Sequence, residues 1–341
     1  MQQAGGFAPG AAIVQYQLPD LSDQSLIDGL DQIVTDNKVD VVSMSFGACE
    51  LDFLAFWDGP FSDIDTLFEE DSFFQEGEAK GMTFIAATGD FGGLGCDPSG
   101  YGQPPFTIAG SGSFVPGVQF PASSPNVAAV GGTNLTVSST SAASTYVSEN
   151  AEDDPVQPEQ AADAATDSPD LSGGVWGSGG GPSVLFAQPN YQQPVTTGVA
   201  TRAVPDLAMH MGGCPGNALA NPCPPNRSFD YIVFQGDDSG GVIGTSAAAP
   251  DFAGVMALIV QHSGRQGRAN DMIYKLAQAQ TNGGAAAFHR AIPGTNGVYT
   301  SSGTGSPAYN MVIGNGTLDI RKFMGVTNLP AAGTPGSPSN P

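Results

Sequence analysis

Short apolar runs alternate with helix-periodic stretches in the early part of the chain, and that alternation limits it to few folds. "SDQSLIDGLDQIVTDNK" offers Ser22 and Asp23 as cap candidates and sets Leu26, Ile27, Leu30, Ile33 and Val34 at helical spacing. "VDVVSMSFG" follows as a short buried strand, Val39 to Phe46, and a second amphipathic stretch, from about Ile64 to Ala79, leads into the strand "MTFIAATGD". Apolar strands joined through helices predict an α/β fold with a parallel sheet and helices on both faces. Ligands bind such sheets beyond the carboxyl ends of the strands, where Gly47 and the pair Gly89-Asp90 fall.

Farther along the pattern lapses. Residues from about Ser138 to Asp170 are rich in Ser, Ala, Asp and Glu with few large apolar groups and read as a surface insertion. "GVWGSGGGPS" is too glycine-rich for a strand interior and suggests backbone running close to a ligand. The closing "NLPAAGTPGSPSNP" is linker-like. At 341 residues the chain can bury a large core, as one big domain or two smaller ones. Its opening, "MQQAGGFAPGAAIVQY", reads as domain interior, so the numbering is expected to start at a cut.

Charge narrows the partners. With 33 acidic against 10 basic residues the net charge is −23, the wrong sign for holding nucleic acid or an anionic membrane. No apolar run approaches a membrane span. Such acidity suits a soluble secreted protein and, equally, an acidic workplace. Four cysteines are too few for a disulfide scaffold and lack the paired spacing of a zinc site. Cys214 and Cys223 bracket a Pro/Asn loop that could close on itself; Cys49 and Cys96 each follow a predicted strand and would meet if those strands are neighbours. Two disulfides would fit an oxidising compartment; four buried thiols are the alternative.

One serine stands out. "GVIGTSAAAPDFAGVMALI" places Ser246 between a glycine-rich run and an apolar helix, with Gly244 allowing a tight turn and Pro250 in the first helical turn. The helix amino end favours a developing oxyanion, although a Thr-Ser before a helix is by itself better read as a plain cap. The esterase elbow Gly-x-Ser-x-Gly is not met, because Ala248 fills its last place. Of three histidines, His262 lies at the far end of the serine's own helix, and neither His210 nor His289 has a His-Gly-Thr setting. A Ser-His-Asp triad is therefore poorly supported.

The segment "GTSAAAPDFAGVMALI" resembles the serine signature of the sedolisins, the serine-carboxyl peptidases with a subtilisin-like, doubly wound and mostly parallel sheet. "APGAAIVQY", "VDVVSMSFGACE", "FIAATGDFG", "FPASSPNVAAVGGTNL", "GSGGGPS" and "RAVPDLAM" are similar to further family blocks, in the family's order from Ala8 to about Gly316. The resemblance implies that Ser246 is the nucleophile and that Asp90 is the acid whose protonated carboxyl helps line the oxyanion hole, since only the neutral form has an O–H to donate. It implies that "GSGGGPS", with Gly179, Gly180 and Gly181, lines the substrate cleft. It places the family's base, a Glu with an Asp four residues later, just upstream of "FAPGA", where Met1 to Gly6 hold no carboxylate. Glu50 belongs to a different family position and is not promoted to base. The pair is thus expected before Met1.

Sedolisins also carry a calcium site near the carboxyl end. In the matching segments, "FHRAI" and "SPAYNMVIGNG", Arg290 and Asn310 stand where aspartates would, so the expectation is no cofactor, with the Arg290 charge replacing the ion. The combined expectation is a sedolisin-like peptidase domain over residues 1–327 and a tail over 328–341. It would be secreted, acid-acting and monomeric, with protein or peptide substrates and its own prosegment as partners, no nucleic acid and no membrane. The chain by itself is expected to be inactive. The alternative is a non-catalytic secreted binding protein that keeps the fold.

Overall fold

The computed structural model describes residues 1–54, 63–96, 116–140, 143–151, 153–154, 176–196, 198–212, 230–233, 239–304 and 307–325. Its centre is a seven-stranded sheet made of β1 (Val41–Met44), β2 (Thr83–Ala87), β3 (Ala128–Thr140), β4 (Ala143–Ala151), β5 (Leu207–His210), β6 (Phe288–His289) and β7 (Thr317–Leu318). The order across the sheet is β1-β2-β3-β5-β7-β6, with β4 hairpinned onto β3. Pairs from β1 to β7 along this path are parallel; β6 and β4 each join antiparallel. This is the doubly wound, mostly parallel sheet expected from the strand–helix alternation.

Five helices matter for the argument: α1 (Gln2–Phe7), α2 (Asp23–Asp36), α3 (Ile64–Ala79), α4 (Thr245–Ser263) and α5 (Ala269–Thr281). The two faces of the sheet can be read from the alternation along β1 and β2. Val42, Met44, Phe84 and Ala86 pack with Leu30, Val34, Leu67 and Phe74 of α2 and α3. Val41, Ile85 and Ala87 pack with Phe252, Val255, Met256 and Ile259 of α4. Each strand is buried on both sides, as parallel strands are.

The start of α2 differs from the expected cap. Ser22 makes no side-chain cap bond; instead Asp20 accepts from the Ser22 amide at 3.0 Å and from the Ser22 and Ser25 hydroxyls at 2.6 Å each. Those donors hold the Asp20 carboxyl down to about 2. Within the expected insertion, residues 143–151 form β4, exposed over 145–148 and with Glu149 and Ala151 buried, while most of the stretch to Asp170 lies outside the described residues. Cross-strand pairing, invisible in composition, turned polar residues into a hairpin. "GVWGSGGGPS" likewise contains strand residues, Trp176–Gly177 and the first residues of Gly181–Ala187, which pairs with Thr201–Val204.

Two fixtures hold β1. A disulfide joins Cys49 and Cys96 beyond the carboxyl ends of β1 and β2; Cys214 and Cys223 lie outside the described residues. At the amino end, Arg265 donates to Asp40 Oδ1 at 2.7 Å, to the carbonyls of Val39, Lys80 and Asn37 at 3.1, 3.1 and 3.2 Å, and to the Asn37 side chain. Deeper in the core a fully buried Arg202 makes a bidentate pair with Asp206, at 2.7 and 2.6 Å, and Tyr274 donates to the same carboxylate at 2.9 Å.

Candidate active site

Ser246 sits in the first turn of α4, exposed, while Thr245 and Ala247 on either side are buried. The turn that presents it depends on Gly244, whose φ of +130° lies where L side chains are rarely found. The Gly244 amide donates to the Met211 carbonyl at 2.8 Å, which fastens the turn just past the end of β5. Ser45, just past β1, donates its hydroxyl to the Ser246 carbonyl at 3.0 Å. The site thus gathers the carboxyl ends of β1, β2 and β5, the place where such sheets take ligands.

Asp90 follows β2 and meets this turn. Its Oδ1 accepts from the Thr245 amide at 2.7 Å and from the Thr245 hydroxyl at 2.9 Å, and the Gly89 amide donates to that hydroxyl at 3.1 Å. A methyl on Gly244 would come within 2.7 Å of Asp90 Oδ2. Burial raises the Asp90 pKa, and the two Thr245 bonds only partly oppose the rise. With Oδ1 accepting two donors, a proton on this carboxyl belongs on Oδ2, the oxygen turned toward Gly244. Sequence reasoning named Asp90 and Ser246 but missed Thr245, which joins the serine turn to Asp90, and Ser45, which holds the Ser246 carbonyl; the position of Thr245 beside the serine was the available signal.

The glycine-rich run closes on the same turn. Gly179 donates to the Gly89 carbonyl at 2.9 Å and Gly177 to the Asp90 carbonyl at 2.8 Å. A methyl on Gly179 would stand 2.0 Å from the Thr88 carbonyl oxygen, and one on Gly180 2.2 Å from that of Met311. Gly181 opens the strand paired with Val204. All three glycines are buried; Gly179 and Gly180 are drawn tight against protein backbone, Gly179 next to the residues before Asp90, and Gly181 packs against the Tyr299 and Val118 side chains. Glu50 is also buried; it accepts from the Ser183 hydroxyl at 2.6 Å and the Val184 amide at 2.7 Å, bracing the strand that follows.

The histidines are placed elsewhere: His262 exposed in the last turn of α4, His289 exposed on β6, and His210 ending β5. Among the described residues, no imidazole or carboxylate is hydrogen-bonded to the Ser246 hydroxyl.

The two substituted metal positions adjoin β6 and β7. Arg290 donates to the Ala277 carbonyl at 2.8 Å, the Thr281 hydroxyl at 2.9 Å and the Asn315 carbonyl at 3.4 Å. The Asn310 side-chain oxygen accepts from the amides of Val312 and Ile313, at 3.0 and 3.1 Å, so it faces donors where a cation would need an acceptor. Among the described residues no three His, Cys, Asp or Glu side chains are grouped to hold a metal ion. These residues do not fit calcium, which takes six or more oxygens and is repelled by a guanidinium.

Comparison with known proteins adds context to this geometry. A model described as the subtilase family matches residues 1–292. Sedolisin from Pseudomonas sp. (strain 101) is 30% identical over 330 residues, covering 94% of this chain and 47% of that protein. Xanthomonalisin from Xanthomonas sp. (strain T-22) is 29% identical, covering 89% and 33%. The solved structure of Pseudomonas sedolisin, a serine-carboxyl proteinase complexed with pseudo-iodotyrostatin, is 28% identical with a TM-score of 0.64, covering 90% of this chain and 70% of that one. The chain thus spans less than half the length of these curated relatives.

Proposed function

The chain belongs to the subtilase family, within its sedolisin branch, and from that premise we propose that it is the core of a secreted, acid-acting serine-carboxyl endopeptidase. The observation that carries the proposal is the coupling of Asp90 to the Ser246 turn through both donors of Thr245. In this reading the Ser246 Oγ bonds to the scissile carbonyl carbon and its proton passes to a carboxylate base. The base returns the proton to the leaving amine as the C–N bond breaks, and water then hydrolyses the acyl-enzyme. Protonated Asp90, donating from Oδ2, and backbone amides stabilise the oxyanion. In this reading the base is the Glu of the Glu/Asp pair that the family resemblance implies, and residues 1–341 taken without that pair are expected to be inactive. The remaining expectations go with this reading: a monomer with protein or peptide substrates, its own prosegment, no nucleic acid and no membrane.

Activity in acid follows from the signs. Asp90 must be neutral, a form present below its raised pKa and lost as pH climbs through it, whereas the base must be ionised, which sets the acid limb. The test is hydrolysis of an internally quenched peptide across pH 3–7 by the protein together with the coding sequence that precedes Met1. Turnover confined to acid and abolished in Ser246→Ala supports the reading. Turnover that survives the substitution, or a preceding sequence without the carboxylate pair, sinks it and favours the non-catalytic binding protein.

We further propose that the chain binds no calcium and that Arg290 takes the ion's place by tying α5 to the segment before β7. A thermal-shift series with calcium and with chelator checks this: an unchanged Tm is expected, and a calcium-dependent rise overturns it.

A further inference from the structure

Pro250 interrupts the hydrogen bonding of α4 at the candidate nucleophile itself. Because α4 begins at Thr245, Pro250 falls in its second turn, one turn later than the sequence placed it. A regular helix aims the amide at that position at the carbonyl four residues back, which is the carbonyl of Ser246. Proline has no N–H, and its ring crowds the same carbonyl. The regular helix bond to Ser246 therefore cannot form.

A side chain 201 positions away takes the place of that amide. The Ser45 hydroxyl donates to the Ser246 carbonyl at 3.0 Å. Ser45 stands just past β1, in alternation with Val41, which packs in the α4 layer, so both belong to the face of the strand that meets this helix. The two residues before Ser246 are anchored as well. The Gly244 amide donates to the Met211 carbonyl at 2.8 Å, past β5, and the Thr245 amide to Asp90 at 2.7 Å, past β2. Successive residues of the turn thus rest on the ends of three strands, and the Ser45 bond is the one that reaches the residue carrying Oγ. We propose that Ser45 is a positioning residue for the nucleophile: its hydroxyl replaces the amide that Pro250 lacks, fixes the Ser246 main chain and through it the direction of Oγ. An amide at position 250 would satisfy the same carbonyl from within α4; the hydroxyl instead couples it to the sheet, so that the nucleophile and the end of β1 keep one geometry. The Ser45 hydrogen is committed to that carbonyl, so the hydroxyl acts through Ser246 and carries no proton of the reaction. The bond is a property of the fold, and its effect on rate rests on the peptidase reading.

The pair Ser45→Ala and Pro250→Ala tests the proposal, since the second returns an amide to the helix. In the protein with its carboxylate pair, assayed in acid on the quenched peptide, Ser45→Ala should lower kcat about tenfold, short of the roughly 10²-fold cost of a 1 Å misplacement, and change KM by less than about twofold. Ser45→Thr, which keeps the donor, and the double variant Ser45→Ala/Pro250→Ala should both return kcat to within about twofold of the parent. A rise in KM with kcat unchanged would make Ser45 a substrate contact and overturns the proposal, as does a double variant no faster than Ser45→Ala. The bond is read separately in residues 1–341 labelled with carbon-13 at serine carbonyls and nitrogen-15 at alanine, which isolates the Ser246–Ala247 peptide, with Ser141–Ala142 as internal reference. Loss of a donor shields a carbonyl carbon, so the Ser246 resonance should move upfield in Ser45→Ala and return in the double variant; an unmoved resonance overturns the proposal. A parent without turnover overturns the peptidase reading and the effect on rate with it, and the resonance then decides whether Ser45 holds Ser246.

Discussion

The two regions bordering β1 are built in opposite ways. At its carboxyl end, segments remote in sequence meet so closely that a methyl on Gly179 would stand 2.0 Å from the Thr88 carbonyl oxygen. Along its outer edge a cavity of about 650 Å³ lies open, beneath apolar side chains left in water. The contrast separates two kinds of completeness. The serine turn takes its geometry from backbone contacts and two Thr245 donors present in these residues, whereas the flank is apolar side chains around open space.

The comparison can be broken at either region. Asp90→Ala has the largest expected effect, a fall in kcat on the order of 10²–10³ in the protein with its base, as for loss of one oxyanion donor. Thr245→Val should move the alkaline limb of the same pH profile upward, because one bond that lowers the Asp90 pKa is gone, and Thr245→Ser should restore it. An unmoved profile in Thr245→Val would mean that Thr245 does not govern Asp90. Gly179→Ala should cost about 3 kcal/mol in denaturant unfolding, the upper range for overpacking, and Ala257→Trp, on the lining of the cavity, less than about 1 kcal/mol. Equal costs would erase the distinction between the regions. Arg290→Ala, away from both, should cost about 2 kcal/mol and not be rescued by calcium.

One further effect is of pH, on the α3 layer beside β1. Burial pushes Glu70 and Glu78 up to about 8 from the ordinary 4.5. A carboxyl raised in the folded state favours the fold while protonated. Their contribution is therefore full below about pH 4.5 and is lost as pH rises through about 8. The Tm should fall across that window, and Glu70→Gln should flatten the fall by a few degrees. A Tm that rises from pH 4.5 to 8 in the parent and is unaltered in the variant would show that these groups do not govern it.

Much of this was legible in the chain. The helical spacing of Leu26, Leu30 and Val34 and the apolar runs of β1 and β2 predicted the layers, because burial on two faces demands them. Ser246 and Asp90 were found through motif resemblance, and the structure brings their segments together. The hairpin of β3 and β4 was not legible, since its polar residues are held by pairing across strands. Nor was the commitment of Gly179 and Gly180 to backbone contact, which needs the positions of Thr88 and Met311. Nor was the role of Asp20, which gathers the Ser22 amide and the Ser22 and Ser25 hydroxyls just ahead of α2.

Arg265 gives the outer edge of β1 a further property. By gripping Asn37, Val39, Asp40 and Lys80 at one end of β1, while the Cys49–Cys96 bond holds the region past the other, it fixes a strand that, among the described residues, pairs only with β2. Ordering a backbone costs about 1–2 kcal/mol per residue in lost conformational freedom. For β1 that cost falls at folding, so its outer edge is held in order by contacts at its two ends rather than by pairing along its length.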